Sequence, residues 1–183
     1  EILASLGLRS IDEAIGRFDL VDARPAVNHW KAKGLDLSPI LATPESPYGV
    51  QRKSSRSQDH GLDKALDHAV WSACEPALER GEAVRVSTSI TNVDRTAFTL
   101  LGAELTRRHG GAGLPEGTIT INLQGSAGQS LGAFLPRGIS LRLEGDANDY
   151  VGKGLSGGSI TILPPSNAPF VAEEQVIAGN VAL

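Results

Sequence analysis

Gly117-Thr-Ile-Thr-Ile-Asn-Leu-Gln-Gly125, Gly138-Ile-Ser-Leu-Arg-Leu-Glu-Gly145 and Gly158-Ser-Ile-Thr-Ile-Leu163 are three versions of one unit, a short alternating strand entered at glycine. Ile119, Ile139, Ile160 and Val181 fall 20, 21 and 21 residues apart, and Gly125/Gly145, Gly132/Gly152 and Gly138/Gly158 are each 20 apart. A period near 20, with one or two short strands per repeat and glycine where the chain must turn, predicts a parallel β-helix or β-solenoid. Each strand would stack on its equivalent, setting Ile119, Ile121 and Leu123 over Ile139, Leu141 and Leu143. Gly125, Gly128, Gly132, Gly138, Gly145, Gly152, Gly154, Gly157 and Gly158 are then structural corner residues, where stacked turns leave little room for a side chain. An antiparallel sandwich is the competing reading. Its hairpins take two to five residues, whereas 12 residues, Ser126 to Arg137, separate the first two strands.

In front of the repeat the chain changes character. Residues 1–110 hold 29 charged residues and 8 glycines, and the 73 that follow hold 9 and 13. Ser10-Ile-Asp-Glu13 fits a capping box, with Gly16 closing a short helix. A helix is predicted over Asp22–Lys33, with Pro25 in its first turn, Val27 and Trp30 on one face and Gly34 as its stop. Leu35 to Ser57, with Pro39, Pro44 and Pro47, reads as an extended connector. Leu62, Ala65, Leu66, Ala69, Val70, Ala73 and Cys74 then form the stripe of an amphipathic helix that Pro76 ends or kinks and Gly81 terminates. Glu82–Ile90 alternates as a strand. Asp94 reads as the N-cap of a helix through Phe98, Leu101 and Leu105 that stops at Gly110. The expected class is therefore mainly β: a truncated parallel β-helix behind a helical and extended N-terminal arm. The boundaries fall at 1–22, 23–112 and 113–183.

A net charge of −4 gives a nucleic-acid or anionic-membrane surface no electrostatic footing. A lone cysteine, Cys74, excludes an internal disulfide and any multi-cysteine metal site. The absence of a long apolar run or signal sequence reads as a soluble, cytoplasmic chain, and a start at Glu1 without methionine reads as a piece of something longer.

The candidate chemistry is thin. Gly152-Lys-Gly-Leu-Ser-Gly157, with Glu173 downstream, matches the letter of a dinucleotide fingerprint, but a strand follows it where a helix is required. Glu144, Asp146, Asn148 and Asp149 resemble calcium ligands, yet Tyr150 and Val151 stand where ligands or a glycine belong. His60, Asp63 and Asp67 could share a helix face and hold a divalent metal. Lys64 and His68 also stand four apart, and Arg52, Lys53 and Arg56 could clamp an anion. His29 and His109 are isolated, and Cys74 lies on an apolar stripe, as an inert thiol does. No catalytic, cofactor-binding or metal-binding residue is assigned.

Ile11-Asp-Glu-Ala-Ile-Gly-Arg17, His29-Trp-Lys-Ala-Lys-Gly-Leu-Asp-Leu37, Gln58-Asp-His-Gly-Leu62, Gly125-Ser-Ala-Gly-Gln-Ser-Leu-Gly-Ala-Phe134 and Glu144-Gly-Asp-Ala-Asn-Asp-Tyr-Val-Gly-Lys-Gly-Leu-Ser-Gly-Gly158 carry a further signal. In these stretches the chain resembles the C-terminal region of the glutamate synthase large (alpha) subunit. The resemblance spans nearly the whole chain and implies a glycine-rich right-handed β-helix. Residues up to about Asp22 are similar to the tail of the preceding FMN-binding synthase domain. That family converts glutamine and 2-oxoglutarate to two glutamates, with FMN, iron–sulfur centres and a nicotinamide or ferredoxin electron source. The resemblance implies no cofactor in this chain and a non-catalytic scaffold role beside the remaining domains of the large subunit. Family members continue past the residues matching Val181-Ala-Leu183, which implies an open solenoid end available to self-association. A stand-alone β-helix protein, or a subunit of a formylmethanofuran-dehydrogenase-like complex, is the alternative.

Overall fold

The structure, a computed structural model, describes residues 1–43 and 51–182. Pro44 and Pro47 of the expected connector and Leu183 lie outside the described residues. The chain divides into two compact units, Glu1–Asp59 and His60–Leu183.

The first unit is a succession of single turns: Ile2–Ser5, Ile11–Ala14, Phe18–Leu20, Arg24–Val27, Trp30–Ala32 and Ser38–Leu41. The Ser10 hydroxyl accepts from the Glu13 N–H, as expected, but Glu13 reaches back to the Arg9 N–H at 2.8 Å and not to that of Ser10. The helix expected over Asp22–Lys33 is two turns, because His29 takes an extended conformation and its ring accepts from the Lys31 N–H. The expected connector holds the turn Ser38–Leu41, with Pro39 at its start. Among the described residues of this unit none is buried, and Ile2, Ile11, Trp30 and Ile40 are each more than 70% exposed.

The second unit has helices α1 (Asp67–Arg80) and α2 (Thr99–His109) and strands β1 (Val84–Ile90), β2 (Ile119–Ala127), β3 (Ile139–Ala147) and β4 (Ser159–Leu163). The strands form one sheet in the order β1-β2-β3-β4, every neighbouring pair parallel. Together with the helices this is an α/β arrangement. It departs from the mainly β expectation because α1 and α2 belong to the same unit as the sheet.

α1 starts five residues later than the stripe predicts. Leu62–Lys64 is a separate 3-10 turn and Ala65 is extended, so the helical period begins only at Asp67. Its buried face is Asp67, Val70, Cys74, Ala77 and Leu78, while Ala69 and Ala73 point to solvent. The helix runs through Pro76 and ends at Gly81, whose φ of 68° turns the chain away.

Register confirms one part of the repeat and corrects another. Ile119 pairs with Ile139, Leu123 with Leu143 and Gly125 with Gly145, the expected step of 20. Between β3 and β4, however, Leu141 pairs with Ile160, a step of 19, and Val181 lies in no strand. β1 is the strand the repeat concealed: Val84 pairs with Ile119, 35 residues on, because α2 is inserted between them.

The turns that follow the strands are stacked as closely as the strands. Thr96 N–H donates to Gln129 O at 2.8 Å, Ser130 N–H to Asp149 O at 2.9 Å and Tyr150 N–H to Asn180 O at 3.0 Å. Thr96, Ser130, Tyr150 and Val181 all take positive φ, between 53° and 63°. Val181 is thus the fourth layer of a turn ladder. Two residues further on, Gly132 and Gly152 occupy the place that Phe98 fills in the first layer, all three with φ between 63° and 70°. Phe98 is fully buried, so its ring supplies apolar volume where later layers have none.

The inner face of the sheet is closed by Ile119, Ile121, Leu123, Ile139, Leu141 and Leu143, against Leu101, Leu105, Leu131 and Leu135, all 1% exposed or less. Each such side chain contributes about 1.5–3 kcal/mol on leaving water. The outer face carries Ser87, Asn122 and Arg142 in one row and Ser89, Gln124 and Glu144 in the next.

Candidate functional site

The side chain with the most chemical potential is in the core, and it is fully spent. Asp67 opens α1 at 1% exposure, and its two carboxylate oxygens accept from the N–H groups of Phe98 at 2.9 Å and Leu101 at 2.8 Å. These are orphan donors at the start of α2, so the cap of α2 comes from α1. Asp94 does not cap the helix. Phe98 turns left-handed before Thr99, and Asp94 accepts instead from the N–H and hydroxyl of Thr91, both at 2.8 Å. Sequence reading missed the role of Asp67, although a lone carboxylate at the head of an otherwise apolar face was its signal. The suggested set of His60, Asp63 and Asp67 is not assembled: His60 and Asp63 are exposed and precede the helix. His68 bonds the Leu62 carbonyl at 2.9 Å.

Along the outside, α1 and α2 are tied by charge. Arg108 bridges Glu75 at 2.8 Å and Glu104 at 2.6 Å, and Arg107 bonds Glu104 at 2.5 Å. Hydrogen bonds from Arg107 and then Arg108 hold the Glu104 carboxyl down from the usual 4.5 to about 2. A depressed carboxyl stabilises the fold fully above the unfolded value and loses that contribution as pH falls through the folded one. Melting temperature is therefore expected to fall between pH 4.5 and about 2, and less steeply in Glu104→Gln. Equal slopes in pH-resolved thermal melts of the two chains would refute this. His109 closes the same helix by bonding the Leu78 carbonyl at 2.7 Å.

Four of the six backbone N–H groups of the Gly152–Gly157 stretch are spent on carbonyls. Gly152 N–H donates to Leu131 O, Lys153 to Tyr150 O, Leu155 to Gly152 O and Ser156 to Leu135 O. β4 follows directly, without a helix. The acidic cluster is likewise occupied internally: Glu144 accepts from Ser166 N–H at 3.0 Å and Asp149 from Asn180 N–H at 2.8 Å. Among the described residues no group of three or more His, Cys, Asp or Glu is placed to hold a metal ion. Cys74 is fully buried, and burial pushes its thiol up to about 11. Lys53 pairs with Asp12, so the three connector cations form no common clamp. Among the described residues no helix is long and apolar enough to cross a membrane.

The glycines that sequence reading singled out mostly lie where another group comes close. Gly125 and Gly145 sit opposite each other inside β2 and β3. A Cβ on Gly132 would meet Ile160 and Leu141, one on Gly138 Leu114, and one on Gly154 the ring of Phe134. On Gly128 it would meet the Asp94 and Asn92 carbonyls, on Gly157 Arg137, and on Gly158 Leu135. Gly152 keeps its place in the turn ladder at φ 65°.

Comparison with known proteins finds relatives along the whole chain. The chain is 46% identical to the glutamate synthase [NADPH] large chain of Bacillus subtilis, over 100% of this chain and 12% of that protein. It is 47% identical to glutamate synthase [NADH] of Saccharomyces cerevisiae, over 98% of this chain and 8% of that protein. It is 40% identical to ferredoxin-dependent glutamate synthase 2 of Synechocystis, over 100% and 12%. The chain thus spans about a tenth of the length of these relatives. Residues 67–183, the helix-capped stack of parallel strands, match the family described as GXGXG motif, and the chain belongs to that family.

Proposed function

We propose that this chain is a non-catalytic scaffold region of a glutamate synthase, built as a right-handed parallel β-helix that holds the remaining domains of the large subunit in position. The parent reaction would convert glutamine and 2-oxoglutarate to two glutamates, in the cytoplasm. The nine glycines from Gly125 to Gly158 would serve as its corner residues. Within this reading, residues 1–22 belong with a preceding synthase domain, 23–112 form the arm leading into the stack and 113–183 its glycine-rich rungs.

The observation that carries the reading is the turn ladder Thr96–Ser130–Tyr150–Val181, bonded layer to layer in step with the parallel strands. Two repeating ladders per turn of chain are what a stacked solenoid requires. The relatives add support: their names give NADPH, NADH and ferredoxin as electron donors, yet this region is similar in all of them. A segment that met the donor would be expected to differ with it.

The parent family's cofactors do not fit these residues. An iron–sulfur centre takes several thiolates, and the chain's one cysteine is buried and inert. A flavin phosphate takes a cluster of free backbone N–H donors, and four of the six in Gly152–Gly157 are given to carbonyls. The purified chain is expected to carry no flavin absorbance and to release no ammonia from glutamine. Bound flavin retained through purification, or measurable glutaminase turnover, would sink the reading.

A further inference from the structure

Among the described apolar and aromatic residues with positive φ, Phe134 is the most exposed, ahead of Val181 and Tyr150. Its φ is 56°, a conformation that strains a bulky residue. Its ring is nonetheless 59% exposed, so burial returns little of that strain. The equivalent position one layer on is Gly154, with φ 65°, the residue such a backbone favours. The ring lies over Gly154 so closely that a Cβ there would come within 2.6 Å of it.

Around Phe134 is a depression of about 670 Å³, floored by Gly102, Ala103, Thr106 and Pro136. The small residues of α2 let Pro136 approach so near that a Cβ on Gly102 would stand 2.9 Å from its ring. The surroundings are positive on balance: Arg107 is paired with Glu104, Lys153 lies 5.4 Å over the Tyr150 ring, and Arg137 adds a further exposed cation. No acidic residue occurs between Gly128 and Leu143 or between Tyr150 and Ala172, whereas Arg137 and Lys153 are exposed. The Lys153 backbone carbonyl accepts from Phe134 N–H at 2.8 Å. Arg107 lines the depression with a side chain 70% exposed that shares its charge with Glu104 at 2.5 Å.

From this geometry we infer that the Phe134 shelf docks an acidic segment, anchored by an apolar side chain, from another domain of the same large subunit. The inference rests on the scaffold reading. An aromatic at the centre and cations at the rim are the arrangement of an interface hot spot, and carboxylates are what complement them.

The test places a photo-crosslinking benzoylphenylalanine at position 134 of the full-length subunit and maps the adducts by mass spectrometry. The expected adduct joins position 134 to a carboxylate-rich segment of the same polypeptide outside these 183 residues. An adduct confined to the 183 residues, to a second copy or to a segment without carboxylates overturns the docking and leaves the scaffold reading standing. A gene that encodes no larger subunit removes the scaffold reading and the docking together, and sequencing reveals that before any irradiation. In parallel, Phe134→Gly in the 183-residue chain relieves the strain and is expected to leave its melting temperature within about 3 °C of the parent. A larger fall makes Phe134 a folding residue and overturns the proposal.

Discussion

A Gly145→Ala chain is expected to lose its cooperative thermal transition. The added Cβ would stand 1.8 Å from the carbonyl oxygen of Gly125, and φ at this position is 151°. Neither party can move aside. Gly125 is held opposite Gly145 by the β2–β3 ladder, and a Cβ on Gly125 would itself stand 2.2 Å from Ile90 O. The clash is backbone against backbone, repeated from layer to layer, so relaxing it means separating two strands. A cost of about 4 kcal/mol or more is a large share of the roughly 5–15 kcal/mol that holds a domain folded. Gly117→Ala is the control: its φ of 73° is similarly unsuited to a side chain, but a Cβ there meets nothing within 4 Å. That change should cost only about 1 kcal/mol. Circular dichroism melts of both chains decide the matter, and a Gly145→Ala chain that melts like its parent would remove close backbone approach as the reason for glycine here.

Asp67→Ala is the second large effect, with an expected loss of about 3 kcal/mol. Removing the carboxylate strands two N–H groups, those of Phe98 and Leu101, where water cannot replace it. Each buried unsatisfied donor costs about 1–3 kcal/mol. Asp67→Asn should fall between parent and alanine, since the amide oxygen can accept one bond while its NH₂ faces the other donor. Urea unfolding with an unchanged m value measures this directly. A loss below about 0.5 kcal/mol for the alanine variant would mean that α2 is held by its packing alone.

These two residues also mark what was legible in the sequence. The glycine period was readable because backbone proximity leaves no alternative residue at Gly125 and Gly145, and the same step of 20 recurs outside the strands at Gly132/Gly152 and Gly138/Gly158. The strand β1 was readable as a strand but not as a member of the sheet. Its turn uses Phe98 where later layers use Gly132 and Gly152, and α2 lengthens the step to 35 residues. The slip of register at β4 was hidden because alternation alone fits Ile160 over Ile139 as well as over Leu141. Asp67 was hidden for a different reason. A cap supplied across 31 residues leaves no mark near the helix it serves, and Asp94 supplied a plausible local decoy. The turn positions Thr96, Ser130, Tyr150 and Val181 share a backbone conformation but no residue type, so composition could not align them.

The steps between paired strands, 35, 20 and 19 residues, also bear on how the chain finds its fold. Closing a loop of 35 residues costs only about 0.5 kcal/mol more than closing one of 20, and α2 can form within the longer step by local contacts. The layers are therefore of nearly equal difficulty, and each pairs only with its immediate neighbours. Assembly can begin at any adjacent pair of strands and zip outward in either direction, so the chain has no single obligatory nucleus.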